Sequence, residues 1–169
     1  MLADLLEWFN AYRVPAQHLS SILLAAAIWR WGGAPERWVI AIFLATMVVP
    51  IYPLRWLGVQ YLEIGSGAAL GFFLDLLAAA LFVGVALQAN RNYPLWIAGF
   101  QLVAVGAHLV RSLIDGINPF ALAVLVIGPS YCQLLLIFGG FLRHRARERR
   151  FGAYREWRPG STGLQWWRA

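Results

Sequence analysis

An all-α, polytopic transmembrane helical bundle is the fold class this sequence predicts, and three observations predict it. The chain is 60% hydrophobic and 13% charged, about half the charged fraction of an average soluble domain. Its mean hydropathy is +0.61. Its apolar residues are gathered into long runs, two of which, residues 67–89 and 95–113, fold back on each other at Asn90-Arg91-Asn92-Tyr93-Pro94. About twenty apolar residues cross ~30 Å of hydrocarbon as a helix, so runs of this length read as membrane spans.

In chain order, residues 2–12 place Leu2, Leu5, Leu6 and Phe9 at helical spacing among Asp4, Glu7 and Asn10. That pattern predicts a short N-terminal interfacial helix, closed by Pro15. Asp4 and Glu7 precede any apolar run, unlike the basic start of a cleavable signal peptide, so the first residues are expected to persist. Residues 16–31 form the shortest apolar segment, with Gln17, His18, Ser20 and Ser21 crowding its start; the bundle has five spans with it and four if it is only interfacial. Gly32, Gly33 and Pro35 predict a tight loop over 31–38.

The second span, 38–57, contains Pro50 and Pro53, which free the carbonyls of Thr46 and Val49 and predict a kink near its far end. Residues 58–66 read as a short polar connection. The third and fourth spans are the 67–89 and 95–113 pair. Asp115-Gly116 and Asn118-Pro119 predict a turn over 115–119, and the fifth span, 120–142, is expected to be interrupted at Gly128-Pro129. These spans make residues 1–142 a membrane domain. The remainder, 143–169, is a basic cytoplasmic tail expected to lie on the membrane as a short helix and then fray.

All basic residues are Arg, and eight of the fourteen follow Leu142. The net charge of +6 therefore belongs to the tail, which suits a membrane surface and argues against nucleic acid as a partner. With that tail cytoplasmic, Arg30, Arg37 and Arg91 fall on the same side, while Arg13, Arg55 and Arg111 fall outside with Asp4, Glu7, Glu63 and Asp115. Every short loop then obeys the positive-inside rule. The expected location is a bacterial inner membrane, multi-pass, with the lipid bilayer and a membrane-protein partner or further copies of the chain as partners.

The polar residues set deep in apolar sequence are the candidates for chemistry. Gly67, Gly71, Asp75 and Ala78/Ala79 share a stripe that lets a neighbouring helix approach the carboxylate. At helical rise Asp75 lies ~12 Å, and His108 ~8 to 10 Å, from the same end of two antiparallel helices. Gln101, His108 and Asp115 repeat on one face of the fourth span. The candidate buried polar site is therefore Asp75, Gln101, His108, Arg111, Tyr131 and Gln133. In its structural form Asp75 pairs with Arg111, while His108 and Gln101 supply interhelical hydrogen bonds. In its functional form Asp75 and His108 make a proton relay.

No catalytic, cofactor or metal site is expected. One cysteine, Cys132, excludes an intramolecular disulfide and any Cys-rich metal site. Gly65-Ser66-Gly67 with Gly71 lacks both the spacing and the preceding strand of a nucleotide loop.

Three resemblances bear on the expectation. The tail stretch Glu148-Arg149-Arg150-Phe151-Gly152-Ala153-Tyr154-Arg155-Glu156-Trp157 resembles the end of isoprenylcysteine-type membrane methyltransferases, and implies such an activity. The His-Pro-x-Tyr segment those enzymes carry upstream is absent; Asn118-Pro119-Phe120 is no substitute for it. In size, span number and Trp content the chain is similar to tryptophan-rich sensory proteins, without their Pro- and Trp-rich loop. Over the third to fifth spans it resembles small uncharacterised bacterial inner-membrane proteins with an Asn-Arg-x-Tyr-Pro-Leu-Trp turn, a likeness that carries no function. The favoured function is a non-enzymatic accessory or interaction component. A small transporter or proton-coupled element is the alternative, because two proline-broken spans of opposite orientation flank the polar residues, and a membrane methyltransferase is the third.

Overall fold

A computed structural model describes residues 2–58, 66–113, 119–152 and 155–158. Among them there is no strand. The elements are α1 (Leu2–Trp31), α2 (Ala34–Phe43), a π-helical turn (Leu44–Val48), α3 (Ile51–Trp56), α4 (Ser66–Gln88), α5 (Tyr93–Leu113) and α6 (Pro119–Phe151). With α2, the π turn and α3 counted as one broken pass, the described residues make five helical passes. Among the described residues three helices are long and apolar enough to cross a membrane: Ala34–Leu54, Ala69–Gln88 and Tyr93–Arg111.

The prolines divide into those that break the helix and those that do not. Pro50 and Pro53 break it as expected: the Val49 N–H reaches back to the Leu44 carbonyl at 2.8 Å, the five-residue step of a π turn, and the chain restarts as α3. The Thr46 hydroxyl meanwhile donates to the Ile42 carbonyl at 2.8 Å. Pro15 does not close a separate interfacial helix, for α1 runs through it without interruption. Nor does Gly128-Pro129 interrupt the last pass; α6 is a single helix containing Pro129. A proline removes one backbone bond, and a helix held between packed neighbours carries on through it; α1 packs on α2 and α6, and α6 on α5.

The predicted 31–38 loop shrinks to Gly32-Gly33. α2 begins at Ala34 with Pro35 in its first turn, where a missing N–H costs no helical bond. The turn at 90–92 is as expected, with Pro94 again at a helix start. The 115–119 turn lies outside the described residues up to Pro119, as do residues 59–65 of the polar connection.

The tail departs most from expectation. At 1.5 Å per residue α6 is about 50 Å long, well beyond a hydrocarbon core, so the arginines from Arg143 to Arg150 continue the last pass as helix rather than lying apart from it. Residues 155–158 then return to the bundle. Ala89 and Trp157 form an antiparallel bridge, with Asn90 N–H donating to the Glu156 carbonyl at 3.0 Å and Arg158 N–H to that of Gln88 at 2.9 Å.

The core lies where α5 packs along both α4 and α6 and where α2 crosses α1, α4 and α6. Ile28, Val39, Ile40, Phe43, Ala78, Phe82, Ala89, Ile97 and Ile137 fill it. Gly71, Ala78 and Ala79 are buried, so the small-residue stripe on α4 does admit α5 closely.

Candidate functional site

The six residues singled out from the sequence line one cavity of about 190 Å³, between α1, α4, α5, α6 and the broken second pass. Asp75 projects from the small-residue face of α4, and α5 supplies both of its partners. His108 Nε2 lies 2.8 Å from Asp75 Oδ2. Gln101 Nε2 donates to Asp75 Oδ1 at 2.9 Å and to the Asp75 backbone carbonyl at 3.1 Å. Both side chains are mostly buried, at 14% and 18% exposure, so water screens the contact little. Phe72 sets its ring edge against the imidazole, 6.1 Å between centroids. Arg111 does not pair with the carboxylate, as its structural form expected. It lines the cavity wall, one helical turn beyond His108.

From Asp75 a directional chain of amides runs inward. A carboxylate only accepts, so Gln101 must present its NH₂ group to Asp75 and its carbonyl to the next residue. Gln133 of α6 then donates to Gln101 Oε1 at 2.7 Å and to the Ile97 carbonyl at 3.3 Å. Both glutamines are 1% exposed. All four amide hydrogens are used, and one atom is left over: Gln133 Oε1 is buried without a protein partner. A buried acceptor left unmet costs about 1–3 kcal/mol, so the cavity carries a standing demand for a donor.

Tyr131, the sixth residue, donates its hydroxyl to the Arg13 carbonyl at 3.2 Å and ties α6 to α1. Two further cavity residues, Gln17 and His18, were read from the sequence only as polar residues at the start of the first segment. Gln17 donates to Ser130 Oγ at 3.0 Å, and Tyr52 meets His18 Nδ1 at 3.1 Å. Their signal was the spacing of Arg13, Val14, Gln17 and His18, which is that of a single helix face. Among the described residues no three His, Cys, Asp or Glu side chains gather as a metal site.

A second polar cluster, at the opposite end of the bundle, was not anticipated. Glu36, with no exposed surface, forms an ion pair with Arg91, itself 7% exposed. Glu156 from the returning tail lies 3.7 Å from Arg91 and accepts the Ala34 N–H at 2.9 Å, placing a carboxylate at the positive end of α2. His144 Nδ1 takes a hydrogen bond from Arg91 at 3.2 Å, which makes the neutral ring the Nε2–H tautomer. Burial, and then the Arg91 guanidinium, holds the His144 pKa below its ordinary value. Glu156 and Trp157, which carry part of the methyltransferase-like stretch, are thus built into a clasp.

Taken together, fold and site define an all-helical protein with helices fit to cross a membrane and two buried polar clusters at opposite ends. No protein-family model, no curated protein and no solved structure matches the chain.

Proposed function

We propose that this chain is a five-span protein of a bacterial inner membrane, its arginine-rich end cytoplasmic, in which Asp75 and His108 form a proton-coupled site for a small polar solute entering from the outer side. The observation that carries this is the 2.8 Å contact of Asp75 with His108 on the wall of a polar cavity. Intramembrane ionisable residues are costly, and they mark solute paths and proton relays. A proton accepted at His108 Nδ1 lets the Nε2 proton pass to Asp75, so that one proton taken up turns a neutral imidazole and a carboxylate into a neutral imidazole and a carboxylic acid. Gln133 Oε1 waits farther in as an acceptor for a solute donor. The proline break of the second pass lies against the same cavity, through Met47, Val48 and Ile51, as broken helices do at transporter sites.

Substituted-cysteine accessibility tests the outward opening. In a Cys132→Ala background, Ser130→Cys is expected to react with a small charged thiol reagent added outside whole cells, whereas Ile137→Cys, at a position with no exposed surface, stays unmodified. Reaction of neither would contradict an outward-open polar site.

The interaction role draws support from a different observation, the apolar perimeter formed by Phe73, Leu76, Leu77, Leu87, Leu102 and Leu135. Such a surface meets lipid or a neighbouring membrane helix. In that case the chain should co-purify with a stoichiometric membrane partner and move no protons alone.

A further inference from the structure

A cavity of about 330 Å³ opens at the end of the bundle away from Asp75, between the start of α5 and the later turns of α6. Along α6 its lining changes character in one direction. Leu135 and Gly139 come first, then Arg143 and Arg147, and the step from Leu135 to Arg143 is about 12 Å at helical rise. This apolar-to-cationic gradient, laid along a helix at the edge of a bundle, matches that of a phospholipid from acyl chain to phosphate.

The site is built from two elements. Arg143 and Arg147 stand four apart on one face of α6, so both guanidinium groups line the same wall of the cleft. Across the cleft are Asn92 and Tyr93 at the start of α5, the positive end of a long helix. The apolar part is open as well: a side chain added at Gly139 would meet nothing within 4 Å.

We propose that this cleft binds a phosphate ester, namely the phosphodiester headgroup of an anionic phospholipid, with an acyl chain laid over Leu135 and Gly139. Basic pockets between helices on the cytoplasmic side are suited to such headgroups.

The test uses the full chain, delipidated in a neutral detergent, titrated with phosphatidylglycerol and with phosphatidylcholine and read by native mass spectrometry. Wild type is expected to prefer phosphatidylglycerol by about tenfold. Arg143→Gln/Arg147→Gln should reduce that preference to about twofold or less. Gly139→Leu fills the acyl path without touching a charge and should weaken binding of the whole lipid. Arg149→Gln/Arg150→Gln removes the same charge outside the cleft and should leave the preference intact; both residues are exposed. Equal binding of the two lipids would overturn the proposal. So would an equal loss in the two arginine pairs, or glycerol 3-phosphate competing as well as the intact lipid, since that would place the ligand in solution rather than in the bilayer.

Discussion

Replacing either partner of the Glu36–Arg91 pair should unsettle the whole end of the bundle that holds it, and the two replacements should not be equal. Glu36 is wholly buried and Arg91 nearly so, and removing one member of a buried pair costs about 3–5 kcal/mol because the survivor remains desolvated. In Glu36→Gln, Arg91 keeps Glu156 at 3.7 Å and its bond to His144, so the loss should sit near the lower end, ~3 kcal/mol. In Arg91→Gln, Glu36 and Glu156 lose the cation between them at the start of α2, and the loss should approach ~5 kcal/mol. The double change Glu36→Gln/Arg91→Gln leaves only Glu156, 30% exposed, without its cation. It should therefore be less destabilised than the sum of the singles by about 1–3 kcal/mol of coupling. Reversible unfolding in mixed micelles titrated with SDS, followed by tryptophan fluorescence and helical circular dichroism, measures all three. A Glu36→Gln protein within about 0.5 kcal/mol of wild type, the range of an ordinary surface change, would refute the reasoning, as would strictly additive losses.

His144 gives a pH dependence of definite sign. Its folded-state pKa is lowered, so below the ordinary histidine value of about 6.5 the unfolded chain binds more protons, and stability present above that pH is lost as pH falls toward the folded value. The same SDS titration repeated at falling pH checks this, and His144→Gln should flatten the decline; an unchanged slope in the variant contradicts it. Gly140→Ala places a methyl group 2.9 Å from the Tyr93 ring and should cost about 1–3 kcal/mol through overpacking of α5 on α6, whereas Gly139→Ala should be nearly silent in the same unfolding assay. Gln133→Glu replaces a donor to Gln101 Oε1 with an acceptor, and Gln133→Leu merely removes it. The glutamate should be the more destabilised of the two in thermal melts, and a reversed order would show that the amide chain is oriented the other way.

Parts of this structure were legible because local chemistry decides them. Pro50 and Pro53 act on carbonyls four residues away, and the break fell where they placed it. Helical rise brought Asp75 and His108 to one depth, and the stripe of Gly71 and Ala78/Ala79 announced a close neighbour. Rise does not fix rotation about the helix axis, however. Arg111 is one turn from His108, and only the packed structure shows that the carboxylate takes the imidazole. Pro15 and Pro129 misled for a related reason: a proline rule describes a helix alone, and these helices are held between packed neighbours. The clasp was illegible because its members lie far apart in sequence. Glu36 and Arg91 looked like interface charges, and nothing local links either to Glu156 or His144.

The central claim is that Asp75 and His108 handle a proton together. Its most direct test is proton flux into proteoliposomes that enclose a pH-sensitive dye, driven by an imposed potassium potential, with each variant matched for reconstitution and thermal stability. Wild type should carry protons, Asp75→Asn and His108→Gln should lose at least about nine-tenths of that flux, a tenfold effect or ~1.4 kcal/mol in the barrier, and Asp75→Glu, which keeps the carboxylate, should retain a measurable share. Full flux in a stable Asp75→Asn protein would contradict the account and leave the pair as a fastening between α4 and α5.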